Sequence, residues 1–158
     1  LNSEMLADPE FRIATPLANE LVKHALKLTG ESTLGYHLGT QMRISIHGFI
    51  GYAIMTAHEI SDALILANRF IQLRMPFLQL FFSTFGEKAN LQLQCDIHME
   101  PLRTEIAIAL IIGMITMSKA MTGTEHFTGE VDFDFPKPAG FDQYFAKQTL
   151  LFLFFLSL

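Results

Sequence analysis

The chain has 158 residues, a formal charge of -5 from 11 lysines and arginines against 16 aspartates and glutamates, and half of its residues hydrophobic. That length suits one domain with one core, the apolar content excludes intrinsic disorder, and the acidic balance excludes a surface that grips a phosphate backbone by itself. Cys95, the single cysteine, rules out an internal disulfide or a cysteine-only metal site and fits a reducing, cytoplasmic setting.

Asn2, Glu4 and Asp8 interrupt the apolar start, so no signal peptide is expected. Up to Phe11 the pattern is weak apart from a turn at Asp8-Pro9. Thr15-Pro16-Leu17 then predicts a helix start, with the hydroxyl as cap and proline in the first turn. Leu17, Ala18, Leu21, Val22, Ala25 and Leu26 would form its buried stripe, and Gly30 its end. Ser32 opens a short helix through Leu34, Tyr36 and Leu38. Phe49 to Met55 reads as a tight helical corner, followed from His58 or Glu59 by an amphipathic helix with Ile60, Ala63, Leu64, Ala67, Phe70 and Ile71 at helical spacing. Its few polar positions mark it as the central strut of the domain, covered around most of its girth.

After Leu73 the period changes. Asn90 to Met99 alternates, with Leu91, Leu93, Cys95 and Ile97 on one face and Gln92, Gln94, Asp96 and His98 on the other. Together with the aromatic run from Met75 to Phe85 and a Gly86-Glu87-Lys88 turn, it predicts an antiparallel hairpin. Leu102 to Met121 is nearly all apolar and would lie buried on this sheet, Gly113 allowing a close approach. Its wholly apolar part, Ile106 to Met117, is short for a bilayer crossing, so no membrane contact is expected. Glu130 to Phe135 predicts a third strand that Pro136 and Pro138 end. Asp142 to Ala146 suggests a helical turn, and the final apolar run a fourth strand. The fold class is α+β: a helical N-terminal half, then an antiparallel sheet covered by a long apolar helix.

No GxGxxG, P-loop, HExxH or GxSxG pattern occurs, and no nucleophile, base and oxyanion donor can be assembled. The chain therefore does not read as an enzyme, and neither a cofactor nor a metal is expected. Glu20 and His24 stand four apart on a helix without a third ligand nearby, which favours a polar surface pair over a metal site. His58-Glu59 reads as a helix start before it reads as an acid-base pair. His98, Glu100, Arg103 and Glu105 gather where hairpin meets helix, either binding something or marking the boundary, and Glu125 and His126 sit in a loop. Phe77, Phe81, Phe82 and Phe85 fall in one strand. Alternation sends Phe81 and Phe82 to opposite faces, so both faces need covering, by the core on one side and by a ligand or subunit on the other.

The stretches LADPEFRIATPLANELVKHALKLTGESTLGYHLG and GFIGYAIMTAHEISDALILANRFIQL, then the helix from Pro101 to Met121, then FTGEVDFDFPKPAGFDQYFA with its Pro-x-Pro and Tyr144, form an ordered series. The series resembles the N-terminal arabinose-binding-type regulatory domain of AraC-type bacterial transcription regulators. The closing KQTLLFLFFLSL departs from that pattern in being abruptly apolar. The resemblance implies one effector-sensing or dimerising domain over residues 1–158, with DNA contacted through a C-terminal helix-turn-helix domain absent from this chain. Expected partners are a small effector and a second copy in a homodimer. Occupancy would favour one arrangement of the pair and so alter how attached DNA readers meet their half-sites. The aromatic strand and the methionines suit an apolar or amphipathic effector. By position, Phe81 and Phe82 are the candidate packing contacts, and Arg74, Gln79, His98 and Arg103 the candidate polar anchors. The alternative is a dimerisation scaffold without a ligand, which would have a filled interior and an apolar surface patch.

Overall fold

The computed structural model describes residues 11–86, 88–123, 128–145 and 150–154, together with residues 5, 7 and 8. Glu125, His126 and most of the arm before Phe11 lie outside the described residues. In chain order the elements are α1 (Thr15–Thr29), α2 (Leu34–Thr40), a 3-10 turn (Ile44–His47), α3 (Gly48–Met55), α4 (Ile60–Arg74), β1 (Leu78–Phe85), β2 (Lys88–Cys95), α5 (Leu102–Thr122), β3 (Gly129–Phe133), α6 (Phe141–Phe145) and β4 (Leu150–Phe154). The expected α+β order holds.

α1 begins with a proline in its first turn and ends at Gly30, whose φ of 69° sends its N–H back to the Leu26 carbonyl. Thr15 does not cap it. Thr15 is already helical, and Ala14 at the cap position offers no side-chain acceptor. The buried stripe also differs from the expected one: Asn19 is buried, while Leu17 and Leu21 are exposed.

α4 is not the central strut. Ala63 is its one buried residue among those whose burial is described, and Ile65 and Leu73 are exposed. It lies along β1, where Asn68 Oδ1 accepts the Leu80 N–H at 3.0 Å. β1 and β2 pair antiparallel, with Leu80 opposite Leu93 and Phe82 opposite Leu91, and Gly86 at φ 61° makes the tight turn. Leu78 and Leu80 are buried, but Phe81 and Phe82 retain 47% and 36% of their surface and Phe85 nearly all of its own. The core therefore covers neither face of the far half of the hairpin, where the sequence pattern led us to expect it over one.

The centre of the fold is α5. Leu102, Glu105, Ile108, Ala109, Ile112 and Gly113 are buried along it at helical spacing. α2 lies against this face with its backbone nearly touching, because Gly35 and Gly39 carry no side chains. A Cβ at Gly39 would fall 2.6 Å from Ile112 Cβ, and one at Gly35 would collide with the Glu105 carbonyl oxygen. Gly113 does allow a close approach, but to Met42 rather than to the sheet.

The same contact resolves the polar groups. Glu105 Oε2 accepts the Thr33 hydroxyl at 2.9 Å and the Gly35 N–H at 2.5 Å. Thr33 makes no side-chain cap to its own helix, so the carboxylate of α5 caps α2 and faces the positive end of its dipole. Burial pushes the Glu105 carboxyl above its ordinary value, although these donors and the Leu34 amide pull it down. Asn19 does for α5 what Glu105 does for α2: its Oδ1 accepts the Leu102 N–H at 3.1 Å, where the cap position is Pro101.

Beyond α2, Ile108 and Ile112 join Phe133, Phe135 and Phe141 in the main core. Val131 and Phe133 of β3 turn toward it while Glu130 and Asp132 are exposed, the alternation expected of a half-buried strand. β3 pairs with β4 in parallel, apart from the antiparallel hairpin, giving two separate two-stranded sheets. By length and composition α5 is long enough to cross a membrane, longer than the apolar run alone suggested. In this fold Glu105 is buried within it.

Replacing Gly39 with alanine should lift α2 off α5 and cost roughly 2–4 kcal/mol in a urea unfolding experiment. Glu105→Ala, which leaves the Thr33 hydroxyl and Gly35 amide without their acceptor, should cost about 3–5 kcal/mol. Glu105→Gln keeps an acceptor and should cost much less. The raised carboxyl pKa means that the folded state holds this proton more tightly than the unfolded chain does. Its contribution to stability is therefore complete below the ordinary value of 4.5 and declines as pH rises through the raised one. Unfolding midpoints from acid to neutral pH should accordingly show the Gln variant gaining on the wild type across that window.

Candidate functional site

The side of α5 turned from α2 carries Ala107, Ile111, Met114 and Ile115, and these form the floor of a groove of about 720 Å³. Its walls are β2 and β3. Each of these strands is paired on one edge only, β2 with β1 and β3 with β4, so the groove is the gap between two short sheets that share one supporting helix. Leu91 and Leu93 bring apolar surface from β2, and Val131 and Phe133 from β3.

Arg103 stands at the end of this groove, one residue into α5. Its Nη2 donates to Asp134 Oδ2 at 2.5 Å, Nη1 lies 3.9 Å from Glu100 Oε1, and the guanidinium carbon sits 5.9 Å from the centre of the buried Phe135 ring. Glu100 also accepts the Thr104 N–H at 3.2 Å, so it marks the helix boundary and lines the site together. A second hollow of about 520 Å³ continues past Arg103, with Asp96, His98 and Glu100 on its wall. Arg103, Asp134, Gln94 and Cys95 line both spaces.

The charge pattern is uneven. Glu130, Asp132 and Asp134 line the larger groove, and Arg103 is the one Lys or Arg among its described lining residues. A planar guanidinium fixed by a carboxylate and lying over a ring is suited to receive a ligand carboxylate side-on. The acidic β3 wall suits an ammonium group, and the α5 floor an aliphatic chain. Cys95 is half-buried and burial pushes its thiol up, which keeps it protonated and poorly reactive.

Of the six positions singled out by sequence, Arg103 and His98 come together here. Arg74, Gln79, Phe81 and Phe82 line neither hollow: Arg74 ends α4, Gln79 faces Gln94 across the hairpin, and the two phenylalanines lie farther along β1. Glu105, grouped with Arg103 by sequence, is instead the buried cap of α2. Glu20 bonds Lys23 at 2.8 Å, and His24 Nδ1 lies 2.8 Å from the Glu20 carbonyl oxygen. Among the described residues no group of three or more His, Cys, Asp or Glu side chains is placed to hold a metal ion. Glu59 stands at the cap position of α4 without capping it and accepts the Ser61 hydroxyl at 3.3 Å. The acidic wall of β3 was missed, though the alternation in EVDFDF already placed Glu130, Asp132 and Asp134 on one side.

Residues 1–147 match the family described as the arabinose-binding domain of AraC transcription regulator, N-terminal. The chain is also 24% identical over 136 residues to the ornithine utilization regulator of Pseudomonas aeruginosa, covering 86% of this chain and 40% of that protein. It thus spans less than half the length of that relative. The family is regulatory rather than catalytic. Its match runs from the arm through β3 and α6, and the chain belongs to the family of N-terminal arabinose-binding domains of AraC transcription regulators.

Proposed function

We propose that this domain senses a small amphipathic effector in the groove between β2 and β3 and thereby controls a DNA-binding domain attached in the longer protein. The observation that carries the reading is Arg103, held by Asp134 between two hollows at the end of an apolar floor. An amino acid with a second amine fits this chemistry. Its carboxylate would meet Arg103, its methylene chain the face of Ile111 and Met114, and its ammonium groups Glu130 or Asp132. The name of the Pseudomonas relative points to ornithine, a molecule of that class. A regulator of this kind acts on DNA in the cytoplasm and has no need of a membrane surface.

Titration calorimetry with ornithine, putrescine and arabinose tests the reading. Ornithine should bind, and putrescine, which lacks the carboxylate, should bind less well. Arg103→Gln should weaken ornithine binding by roughly 10- to 100-fold, the range for losing a hydrogen bond to a charged group. Bound ornithine should also slow alkylation of Cys95 at the groove edge. If none of the three binds, or if Arg103→Gln binds ornithine as well as wild type does, the groove is not the sensing site.

A further inference from the structure

The two walls of the groove are strand edges rather than strand faces. Residues 89–95 of β2 and residues 130–135 in and just after β3 line it without a gap, so the backbone of each strand, and not every second side chain, borders the space. One bond fixes which way the backbone groups of β2 point. Asp96 gives its N–H to the Phe77 carbonyl at 2.9 Å, and in an antiparallel pair successive residues alternate between facing the partner strand and facing away. Gln92 and Gln94 therefore face β1, while the N–H and C=O groups of Leu91, Leu93 and Cys95 point away from it. Leu80, opposite Leu93, obeys the same parity, since its amide turns from β2 and goes to Asn68. The groove is on that far side, as no described residue of β1 lines it. Across the gap β3 pairs only with β4. Among the described residues, two open strand edges thus border one space over one apolar helix.

We propose that this gap accepts an extended segment of a partner protein, about as long as the five residues of β3, which pairs with β2 on one side and β3 on the other and joins the two small sheets into one. The neighbours on each face set the sequence of that segment. Toward α5 it meets Leu91, Leu93, Val131 and Phe133, so every second residue is apolar. On the outer face its neighbours are Gln92, Glu130 and Asp132, all exposed, so the residues between are basic. A second copy is the wrong occupant, because its own β3 would set Glu130 and Asp132 against the same two carboxylates. The inference does not rest on a small effector in the groove. A strand there lies across the same floor, so the strand and an effector held by Arg103 would compete.

Amide hydrogen exchange on the 158-residue chain, read by NMR, tests this with a capped hexapeptide of alternating valine and lysine. Binding should be weak, roughly 10 μM to 1 mM, since the contact is smaller than a standard interface. At saturation the Leu91, Leu93 and Cys95 amides should exchange about ten-fold more slowly, while those of Gln92 and Gln94, which already face β1, should change little. General stabilisation of the fold would slow both sets alike. The same peptide N-methylated at its valines loses its bonds to one edge and should lose most of its affinity, and a peptide with glutamate for lysine should bind about five-fold more weakly. Asp132→Lys, at an exposed position, should weaken the lysine peptide by roughly two- to five-fold and strengthen the glutamate one. No binding of the lysine peptide, undiminished binding of the N-methylated one, or equal protection of both sets of amides would each overturn the assignment. So would protection of Leu91, Leu93 and Cys95 that appears without peptide and rises with protein concentration, which would make a second copy the occupant. None of these readouts uses ornithine, so a failed strand site and a failed effector site are told apart.

Discussion

The Glu105 carboxylate, buried where α2 meets α5, is the contact on which the other packing choices rest. A buried charge without donors costs several kcal/mol, whereas one that accepts a hydroxyl and backbone amides at a helix N-terminus is tolerated. Those donors reach Glu105 only because Gly35 and Gly39 let the two backbones approach. The steric and polar requirements are thus one requirement: filling either glycine would pull Thr33 and the Gly35 amide from the carboxylate, and removing the carboxylate would leave them without an acceptor. With α2 so placed, Tyr36 reaches the main core and stacks on Tyr144, ring centres 4.8 Å apart. Tyr144 in turn donates to Glu31 just before α2. The contact between two helices therefore also positions α6.

α5 can then serve several sides at once. Its first turn carries Asn19 of α1 on the Leu102 amide and, one residue later, Arg103 at the groove. One face takes α2, a second takes Phe133, Phe135 and Phe141, and a third is left as the groove floor. A helix used all round needs apolar residues all round, which is why its sequence shows almost no amphipathic period. Its single buried acid has no basic residue three or four positions away on the same helix, a sign that its partner lies on another element.

Local pattern and long-range placement explain what was legible in the chain. The hairpin, the ends of α1 and α5 and the alternation of β3 depend on neighbours in sequence, and all were readable from periodicity, proline and glycine. The role given to α4 was misjudged because an apolar stripe shows that a helix is covered on one side, not that it is central. Likewise the leucines at positions 17 and 21 were placed inside because they share a helical pattern with Val22 and Leu26, but a helix with apolar residues on two faces does not say which one meets the core. The groove lay further from reach. Arg103 and His98 stood out as charges at an element boundary, yet their neighbours on β3 come together with them only because β3 pairs with β4 instead of with the hairpin. That choice of partner leaves the groove open and is decided by contacts far apart in the chain.

The first turn of α5 joins the groove to α1. Arg103 is bonded to Asp134 across the groove, and the adjacent residue, Leu102, gives its amide to Asn19. A ligand in the proposed groove site that draws the guanidinium toward itself would act on the turn that anchors α1. The size of any coupling is bounded by what differs between the two arrangements. One hydrogen bond of the Asn19 kind is worth about 1 kcal/mol, enough for roughly a five-fold change in affinity. A stronger effect requires α1 to move as a body against α5, carrying the half-buried Val22 and Leu26 with it. Breaking the Asn19 bond alone therefore gives a graded response, and a switch-like one demands repacking of the whole α1–α5 contact.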